Sequence, residues 1–252
     1  MPQGAILQPI VDKLDRLSSL SESERTAILG LPCHEASIER GDYLVREGDR
    51  TNTCCALLSG FLYRQKITGE GSRQILAVHL KGDLVDVQNS LLGIADHSVQ
   101  ALTSARIATI PADAIVALIA AEPGVSLSLW LDTLIEASIS REWLLSTGQR
   151  SARQRIAHFF CELAFREEDV QPPGGNRYAL PLSQEEIGDA TGITAVHANR
   201  VIQGLRKDGI VEINGRVLIV IDWDALEVAG DFNSLYLHRN REQRMYRRRM
   251  AN

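Results

Sequence analysis

Residues 182–209, LSQEEIGDATGITAVHANRVIQGLRKDG, decide the fold that we predict for this chain. Ser183 can cap a helix, and Glu186, three residues later, can reach back to the Ser183 amide and complete a capping box. Gly192 supplies a permissive backbone for a tight turn, and Thr194 is a suitable cap for a second helix. The stretch therefore predicts two short helices joined by a turn, which is a helix-turn-helix.

The second predicted helix has an apolar side and a polar side. Val201, Ile202 and Leu205 fall on one side at helical spacing, which leaves the other side free to face DNA. In a helix-turn-helix, the first turns of the second helix meet base edges, while flanking polar residues contact phosphates. We predict ten DNA-binding residues: Ser183, Gln184, Thr194, Ala195, Val196, His197, Asn199, Arg200, Gln203 and Arg206.

Arg200 is the leading candidate for a base contact. Arginine offers two parallel donors that fit guanine O6 and N7, asparagine pairs similarly with adenine, and methyl groups such as those of Val196 can contact thymine. Any of these side chains can instead contact the DNA backbone. The competing interpretation is a pair of ordinary surface helices whose polar faces are merely solvated.

Two short apolar runs follow the second helix. Gly209 ends the helix, and residues 210–213 and 217–221 flank Asn214-Gly215, a sequence typical of a hairpin turn. A helix-turn-helix followed by a hairpin is a winged helix. In this order of elements the chain resembles the CRP/FNR superfamily of bacterial transcription factors, and the resemblance covers most of the chain.

The resemblance implies that Arg200 contacts DNA, because it occupies the place of the family's recognition-helix arginine. The family's common Arg-Glu pair near the start of that helix is replaced here by Ala195-Val196. The best-known target sequence of the family therefore does not carry over. The partners that we expect are double-stranded DNA, a second copy of the chain and, if the protein is an activator, RNA polymerase.

The composition predicts two domains. A chain of 252 residues with 44% apolar residues can bury one large core or two modest ones. The net charge of −5 gives no bulk attraction to nucleic acid, and residues 151–252 hold 14 basic and 14 acidic side chains, so DNA binding must depend on a local patch. No run approaches a membrane span and no signal-peptide pattern opens the chain, so we expect a cytoplasmic protein without a membrane partner.

The region between residues 38 and 110 is predicted to be a β-structure. Short β-type runs alternate there with glycine-bearing turns, which favours an antiparallel barrel or jelly roll. Residues 5–31 read as two helices, the second of them capped by Ser21. The resemblance implies that the β-structure is the β-roll effector domain of the family.

The effector site departs from the pattern of the family's cyclic-nucleotide-binding members. Those members bind the ligand with Gly-Glu and, about ten residues later, Arg-Ser or Arg-Thr. Here Val85-Asp86 takes the first place and His97-Ser98 the second, so the fixed guanidinium is absent. With Asp83 these residues form a candidate effector pocket. We expect no classical cyclic AMP binding and no cofactor, and the effector is unknown.

Cysteines and histidines give no clear sensor. The four cysteines are Cys33, Cys54, Cys55 and Cys161. They form no C-x-x-C pair and lack the close N-terminal set that an iron–sulfur cluster would need. Cys54 and Cys55 point to opposite faces if they lie on a strand, so we expect buried reduced thiols, with a redox-sensing thiol as the alternative. The histidines lack metal-ligand spacing, and no metal site is predicted.

A long apolar helix is predicted for residues 123–148. It is hydrophobic on more than one side, so a stripe that does not face its own β-roll can pack against the same helix of a second copy. This predicts a two-fold dimer, with a wholly intramolecular core helix as the alternative. The helix that follows, from residue 151, opens the DNA-binding domain.

The predicted fold is α+β: an antiparallel β-roll with flanking helices, a long dimerisation helix and a C-terminal winged helix-turn-helix. The predicted boundaries are 1–122 for the sensor domain, 123–148 for the dimerisation helix, 149–223 for the DNA-binding domain and 224–252 for a C-terminal extension. The end of that extension carries six arginines against one glutamate. It either adds phosphate contacts or is simply solvated.

The predicted function is sequence-specific regulation of transcription from an inverted-repeat promoter site. Two alternatives remain open, a ligand-binding β-roll without direct promoter control and a protein-interaction dimer. We predict no enzyme and no catalytic residue, because the sequence offers no convergent set of nucleophile, base and metal ligands.

Overall fold

The computed structural model describes residues 6–167 and 176–238. The described chain forms two compact units. The first contains residues 6–66, 77–137 and 238, and the second contains residues 67–76, 138–167 and 176–237. The arginine-rich segment 239–252 and residues 171–175 of the predicted turn lie outside the described residues. The predicted domain boundaries stay a prediction.

Short helices flank the β-structure of the first unit. The helices are α1 (Gln8–Leu17), α2 (Glu22–Leu29), α3 (Asn89–Leu92) and α4 (Ala112–Ala121). The strands are β1 (His34–Ile38), β2 (Tyr43–Val45), β3 (Thr53–Ser59), β4 (Leu62–Ile67), β5 (Arg73–His79), β6 (Leu84–Val85), β7 (Ser98–Ala101) and β8 (Ala105–Pro111). Ser21 caps α2 in a complete capping box, as predicted.

Two four-stranded sheets make up the β-roll, in the orders β1-β8-β3-β6 and β2-β7-β4-β5. Strand β3 lies inside its sheet and pairs antiparallel with both β8 and β6. One side of β3 packs into a core shared with the helices, and the other side packs into the interior of the roll. Full burial of an aliphatic side chain in such a core contributes roughly 1.5–3 kcal/mol.

The thiols follow this two-sided burial. Cys54 belongs to the core that contacts the helices, whereas Cys55 belongs to the interior of the roll, which confirms that the two side chains point to opposite faces. All four cysteines are free. Desolvation raises the pKa of Cys55 and Cys161 far above the usual value for a thiol, so the reactive thiolate is disfavoured at both.

Helix α5 (Pro123–Gln149), with 27 residues, is the longest helix in the described part of the chain. Its first turn buries Val125 completely, and Leu129 is buried one turn later against the helical core of the first unit. The side of the helix that carries Leu127, Trp130 and Leu134 is exposed. No single helix in the described residues is long and apolar enough to cross a membrane; only α4 and α5 taken together, with a 116° bend between them, reach that length and hydropathy.

The second unit contains the predicted winged helix-turn-helix. Its helices are α6 (Ala152–Glu167), α7 (Gln184–Thr191), α8 (Ala195–Lys207) and α9 (Trp223–Gly230), followed by a 3₁₀ helix (Ser234–Leu237). Its strands are β9 (Arg177–Ala179), β10 (Val211–Asn214) and β11 (Val217–Val220). The wing is a three-stranded sheet in the order β10-β11-β9, and β9 was not predicted as a strand.

A buried polar cluster joins the end of α5 to α6 and to the C-terminal segment. The ring nitrogens of His158 lie 3.1 Å from the Gly230 carbonyl oxygen and 3.1 Å from the Tyr236 hydroxyl. The Tyr236 hydroxyl donates to Glu162 Oε2 at 2.8 Å, and the Trp143 indole N–H donates to the same carboxylate. Because His158 and Glu162 are almost fully buried, these contacts replace the hydrogen bonds that water would supply.

Candidate nucleic-acid interface and effector site

Helix α7 starts where the sequence predicts. The Ser183 Oγ accepts a hydrogen bond from the Glu186 amide at 3.2 Å, and Glu186 Oε2 accepts one from the Ser183 amide at 2.6 Å. The helix ends at Gly192, whose φ of 68° lies in the left-handed region. Both ends of α7 therefore have the local chemistry that the capping box and the turn glycine predict.

A close approach of backbones fixes the angle between α7 and α8. A Cβ atom on Gly188 would lie 2.6 Å from the Ile193 carbonyl oxygen, so this position of α7 accepts no side chain without movement of the turn. Thr194 caps α8 by accepting a hydrogen bond from the His197 amide at 3.3 Å. The turn between the helices is thus short and tightly packed.

Helix α8 presents one polar stripe to solvent. Ala198, Ile202 and Leu205 are buried on one side of the helix. At helical spacing the opposite side carries Val196, Arg200, Gln203 and Lys207, all of them exposed. We call these four residues the outward face of α8. Lys207 was not among the predicted DNA-binding residues, although its position four residues after Gln203 indicates the same side of the helix.

The structure brings several predicted DNA-binding residues together. The Asn199 amide nitrogen donates to Gln184 Oε1 at 2.7 Å, which links the start of α7 to α8. Arg206 Nη1 donates to Gln203 Oε1 at 3.3 Å. Arg200 makes no hydrogen bond or ion pair with any described residue, so its five N–H donors point into solvent. Such a guanidinium is available to a base edge or a phosphate.

A cleft of about 280 Å³ runs between α8 and the wing. Polar groups predominate at its surface, and two guanidinium groups, those of Arg206 and Arg216, line it. Ser183, Gln184 and Gln203 line the same cleft, so with Arg206 four predicted residues share one surface with the wing. Thr194, Ala195 and His197 lie at the start of α8 and are not part of the cleft lining.

The structure brings only two of the five candidate effector residues into contact. Asp86 and His97 meet, with 2.7 Å between Asp86 Oδ1 and His97 Nε2. Asp83 instead accepts a hydrogen bond from the Leu80 amide and forms an ion pair with Lys13. Val85 is fully buried in the interior of the roll, and Ser98 accepts a hydrogen bond from the Glu47 amide. Only Asp86 and His97 therefore form a cluster.

Charged side chains that were not predicted complete this cluster. Arg64 Nε lies 3.1 Å from His97 Nε2, and Arg64 Nη2 lies 3.5 Å from Asp86 Oδ1. The other ring nitrogen of His97 lies 2.6 Å from Asp96, and Arg64 also approaches Glu136 of α5 at 3.7 Å. A guanidinium is thus present, but it comes from β4 rather than from the Arg-Ser position. Arg64 lies two residues after buried Leu62 on β4, so strand alternation puts both side chains on the same face. This spacing was a signal that Arg64 points inward.

Asp86 is held in its charged form within this cluster. Burial alone would raise the pKa of Asp86, but the hydrogen bond from His97 and the charges of His97 and Arg64 outweigh burial and keep that pKa below its usual value. Its backbone is left-handed, with φ of 62°. Such a backbone favours glycine over residues that carry a side chain.

The fold and the exposed face of α8 define a class of protein, the winged helix-turn-helix DNA-binding proteins with an N-terminal β-roll. Comparisons with known proteins agree. Residues 154–229 match the family model of the Crp-like helix-turn-helix domain, and residues 35–122 match that of the cyclic nucleotide-binding domain. The fold of a solved structure, FixK2 from Bradyrhizobium japonicum, superposes with a TM-score of 0.70 at 22% identity, over 79% of this chain and 98% of that one.

Curated relatives specify the family. A probable transcriptional activator from Rhizobium leguminosarum bv. viciae is 30% identical over 194 residues, which are 75% of this chain and 78% of the relative. The transcriptional activator protein FnrL from Cereibacter sphaeroides is 27% identical over 83% of this chain and 86% of its own length. The chain belongs to the CRP/FNR superfamily of DNA-binding transcription regulators, and the predicted fold class is confirmed.

Proposed function

We propose that the protein is a homodimeric regulator that reads an inverted-repeat promoter site through paired α8 helices. The observation that carries this proposal is the outward face of α8, where Arg200 stands between exposed Val196 and Gln203. A guanidinium can read guanine through O6 and N7, and a neighbouring apolar side chain can contact a thymine methyl group. We assign phosphate contacts to Lys207, Arg206 and the wing residue Arg216, whose charges lie on α8 and the wing.

The exposed side of α5 supports the homodimer part of the proposal. Leu127, Trp130 and Leu134 are 49%, 65% and 49% exposed, and their spacing of three and four residues puts them on one side of the helix. We call these three residues the α5 stripe. Burying the stripe against the same stripe of a second copy gives a two-fold dimer, and two α8 helices one DNA turn apart read an inverted repeat.

The remaining expectations are part of the same proposal. Besides Lys207 and Arg216, it includes the ten DNA contacts predicted from the sequence: Ser183, Gln184, Thr194, Ala195, Val196, His197, Asn199, Arg200, Gln203 and Arg206. The protein acts in the cytoplasm, and RNA polymerase is its partner if it activates transcription. The names of two relatives call those proteins transcriptional activators. A β-roll protein without promoter control is the alternative function.

Selection of genomic DNA by the purified protein at physiological salt tests this function. We expect an enriched palindromic motif, and Arg200→Ala should weaken binding to that motif by about 1–3 kcal/mol and relax specificity at one position of each half-site. Lys207→Ala should weaken binding to all sequences. It should also reduce the slope of the logarithm of the binding constant against the logarithm of the salt concentration by about one. Arg106→Ala, which removes an exposed arginine of β8, is the matched control and should leave binding unchanged.

The same experiment separates the alternatives. Binding that is unaffected by Arg200→Ala would contradict the assignment of α8 as the reading helix. Enrichment of no motif by the ligand-free protein, with an enriched motif on addition of a small molecule, would favour a regulator that requires an effector. Enrichment of no motif under any condition would favour a function without direct promoter control.

A further inference from the structure

The cluster around Asp86 does not fit the anionic ligand that a cyclic nucleotide-binding domain implies. Two carboxylates, those of Asp86 and Glu136, lie within 3.7 Å of the Arg64 guanidinium, and a third, that of Asp96, contacts His97. Even if His97 carries a proton, the carboxylates of Asp86 and Glu136 balance the charges of Arg64 and His97, and Lys66 offsets Asp96, so the cluster has no net positive charge. A phosphate that approached this cluster would therefore meet no net electrostatic attraction.

Asp86 already takes the place of an anion beside Arg64. Its side chain is almost fully buried, and its Oδ1 lies within hydrogen-bond distance of His97, Arg64 and Gln88. Its Oδ2 is buried and has no hydrogen-bond partner among the described residues. A ligand phosphate could pair with Arg64 only by displacing this carboxylate, which would leave a buried charge without its partner, at a large cost in free energy.

We infer that Asp86 supplies the anion of the effector site from within the chain, so that the β-roll binds no cyclic nucleotide and the protein binds DNA without a small anionic effector. The DNA-binding part of this inference rests on the proposed function. The filled site does not, because it concerns the first unit alone.

The backbone of Asp86 makes the inference testable by a clean deletion. At φ of 62°, glycine is the residue that the backbone suits best, so Asp86→Gly removes the carboxylate without introducing backbone strain. The deletion leaves a cavity of the size of an acetate ion beside Arg64 and His97. Acetate from solution can then replace the missing carboxylate.

Thermal unfolding of the full chain measures the filled site directly. We expect Asp86→Gly to lower Tm by roughly 5 °C, because one partner of a buried charged cluster is lost. Added acetate should restore most of that loss, whereas chloride at equal concentration should not. Asp86→Gly should also lower the affinity for DNA about tenfold, and acetate should restore that affinity in parallel with Tm.

Asp86→Asn is the matched control, since asparagine also tolerates a left-handed backbone and fills the same space without charge. It should lower Tm, but acetate should have no effect because no cavity is left for it. Acetate rescue of both variants would identify a general effect of the ion and would overturn the inference. So would an Asp86→Gly variant that keeps the Tm of the wild type and does not respond to acetate.

Titration calorimetry of the wild-type chain with cyclic AMP tests the claim that the β-roll binds no cyclic nucleotide. We expect no binding heat and no change of Tm, and a stoichiometric complex with the wild type would overturn the inference. If Asp86→Gly does not fold, Asp86→Asn and this titration still decide. If acetate rescues the Tm of Asp86→Gly but no promoter motif is selected, the filled site stands and the proposed function fails.

Discussion

His158 is the residue whose titration should be visible in the stability of the protein. Burial lowers its pKa below the usual value of 6.5, and the positive charge of Arg150 acts in the same direction, while Glu162 and Glu142 oppose both. The folded chain therefore holds fewer protons than the unfolded chain between pH 6.5 and the lower pKa of the folded state. Protonation of His158 favours unfolding.

We predict that the titration of His158 adds no pH dependence to the free energy of unfolding above pH 6.5. Below pH 6.5, the titration should make the free energy of unfolding fall as the pH decreases. The decrease should end where the folded-state pKa is passed. Urea unfolding at a series of pH values measures this slope. His158→Gln should reduce the slope, whereas replacement of the exposed His34 by glutamine should not, and equal slopes in wild type and His158→Gln would contradict the prediction.

Single residues also mark the limit of what the sequence predicts. Ser183, Thr194 and Gly192 act on neighbours within a few positions, so their roles as caps and turn were predictable from spacing alone. Arg64 meets Asp86 across 22 positions of sequence, although Arg64 lies on β4 of one sheet and Asp86 follows β6 of the other, so only the tertiary fold of the two sheets brings them together. Local rules carry no information on such a contact, although the alternation of β4 indicated that Arg64 points inward.

At the scale of elements, the turn between α7 and α8 sets how α8 is presented. We predict that Gly188→Ala lowers the free energy of unfolding by about 1–3 kcal/mol, because its Cβ atom would clash with the Ile193 carbonyl oxygen. Since relief of the clash must move α8 relative to α7, DNA affinity should fall as well. Urea unfolding and titration with a selected DNA site measure the two effects.

Gly204, on α8 itself, provides the control. A Cβ atom there would lie 3.5 Å from Arg153 Nη1, an ordinary van der Waals distance, within the interior of a helix. Gly204→Ala should therefore stabilise the chain by about 0.5–1 kcal/mol and leave DNA affinity unchanged. Equal destabilisation by both substitutions would show that the close approach at Gly188 is not the cause.

Elements were predictable where their ends carry a chemical signal. Helices α2, α7 and α8 start at capping residues, and the wing turns at Asn214-Gly215, as predicted. Strand β9 was missed because its three residues have no alternation that distinguishes them from a loop. It becomes a strand by pairing with β11, where Leu218 lies opposite Tyr178.

At the scale of the whole molecule, the α5 stripe predicts the oligomeric state. We expect Leu127→Glu combined with Trp130→Glu to convert a dimer into a monomer, because four charges would be buried at the two-fold interface. Sedimentation equilibrium measures the mass, and DNA affinity for a full inverted repeat should fall with it. Val228→Glu places a charge at a residue of α9 that is 82% exposed and should leave the dimer intact.

A monomeric wild-type chain that still selects a palindromic motif would contradict this role of the stripe. A dimer that survives both charged substitutions would place the interface elsewhere on the chain. In either case the outward face of α8 would be unaffected, since it lies in the other unit.

The exposure of Trp130 also gives the chain an optical property. The sequence has three tryptophans, and Trp130, at 65% exposure, lies on the α5 stripe, whereas Trp143 and Trp223 are half-buried. An indole that moves from water into an apolar contact emits at shorter wavelength, so dissociation by dilution should shift the intrinsic fluorescence towards the red. The unlabelled protein is thus its own reporter of assembly.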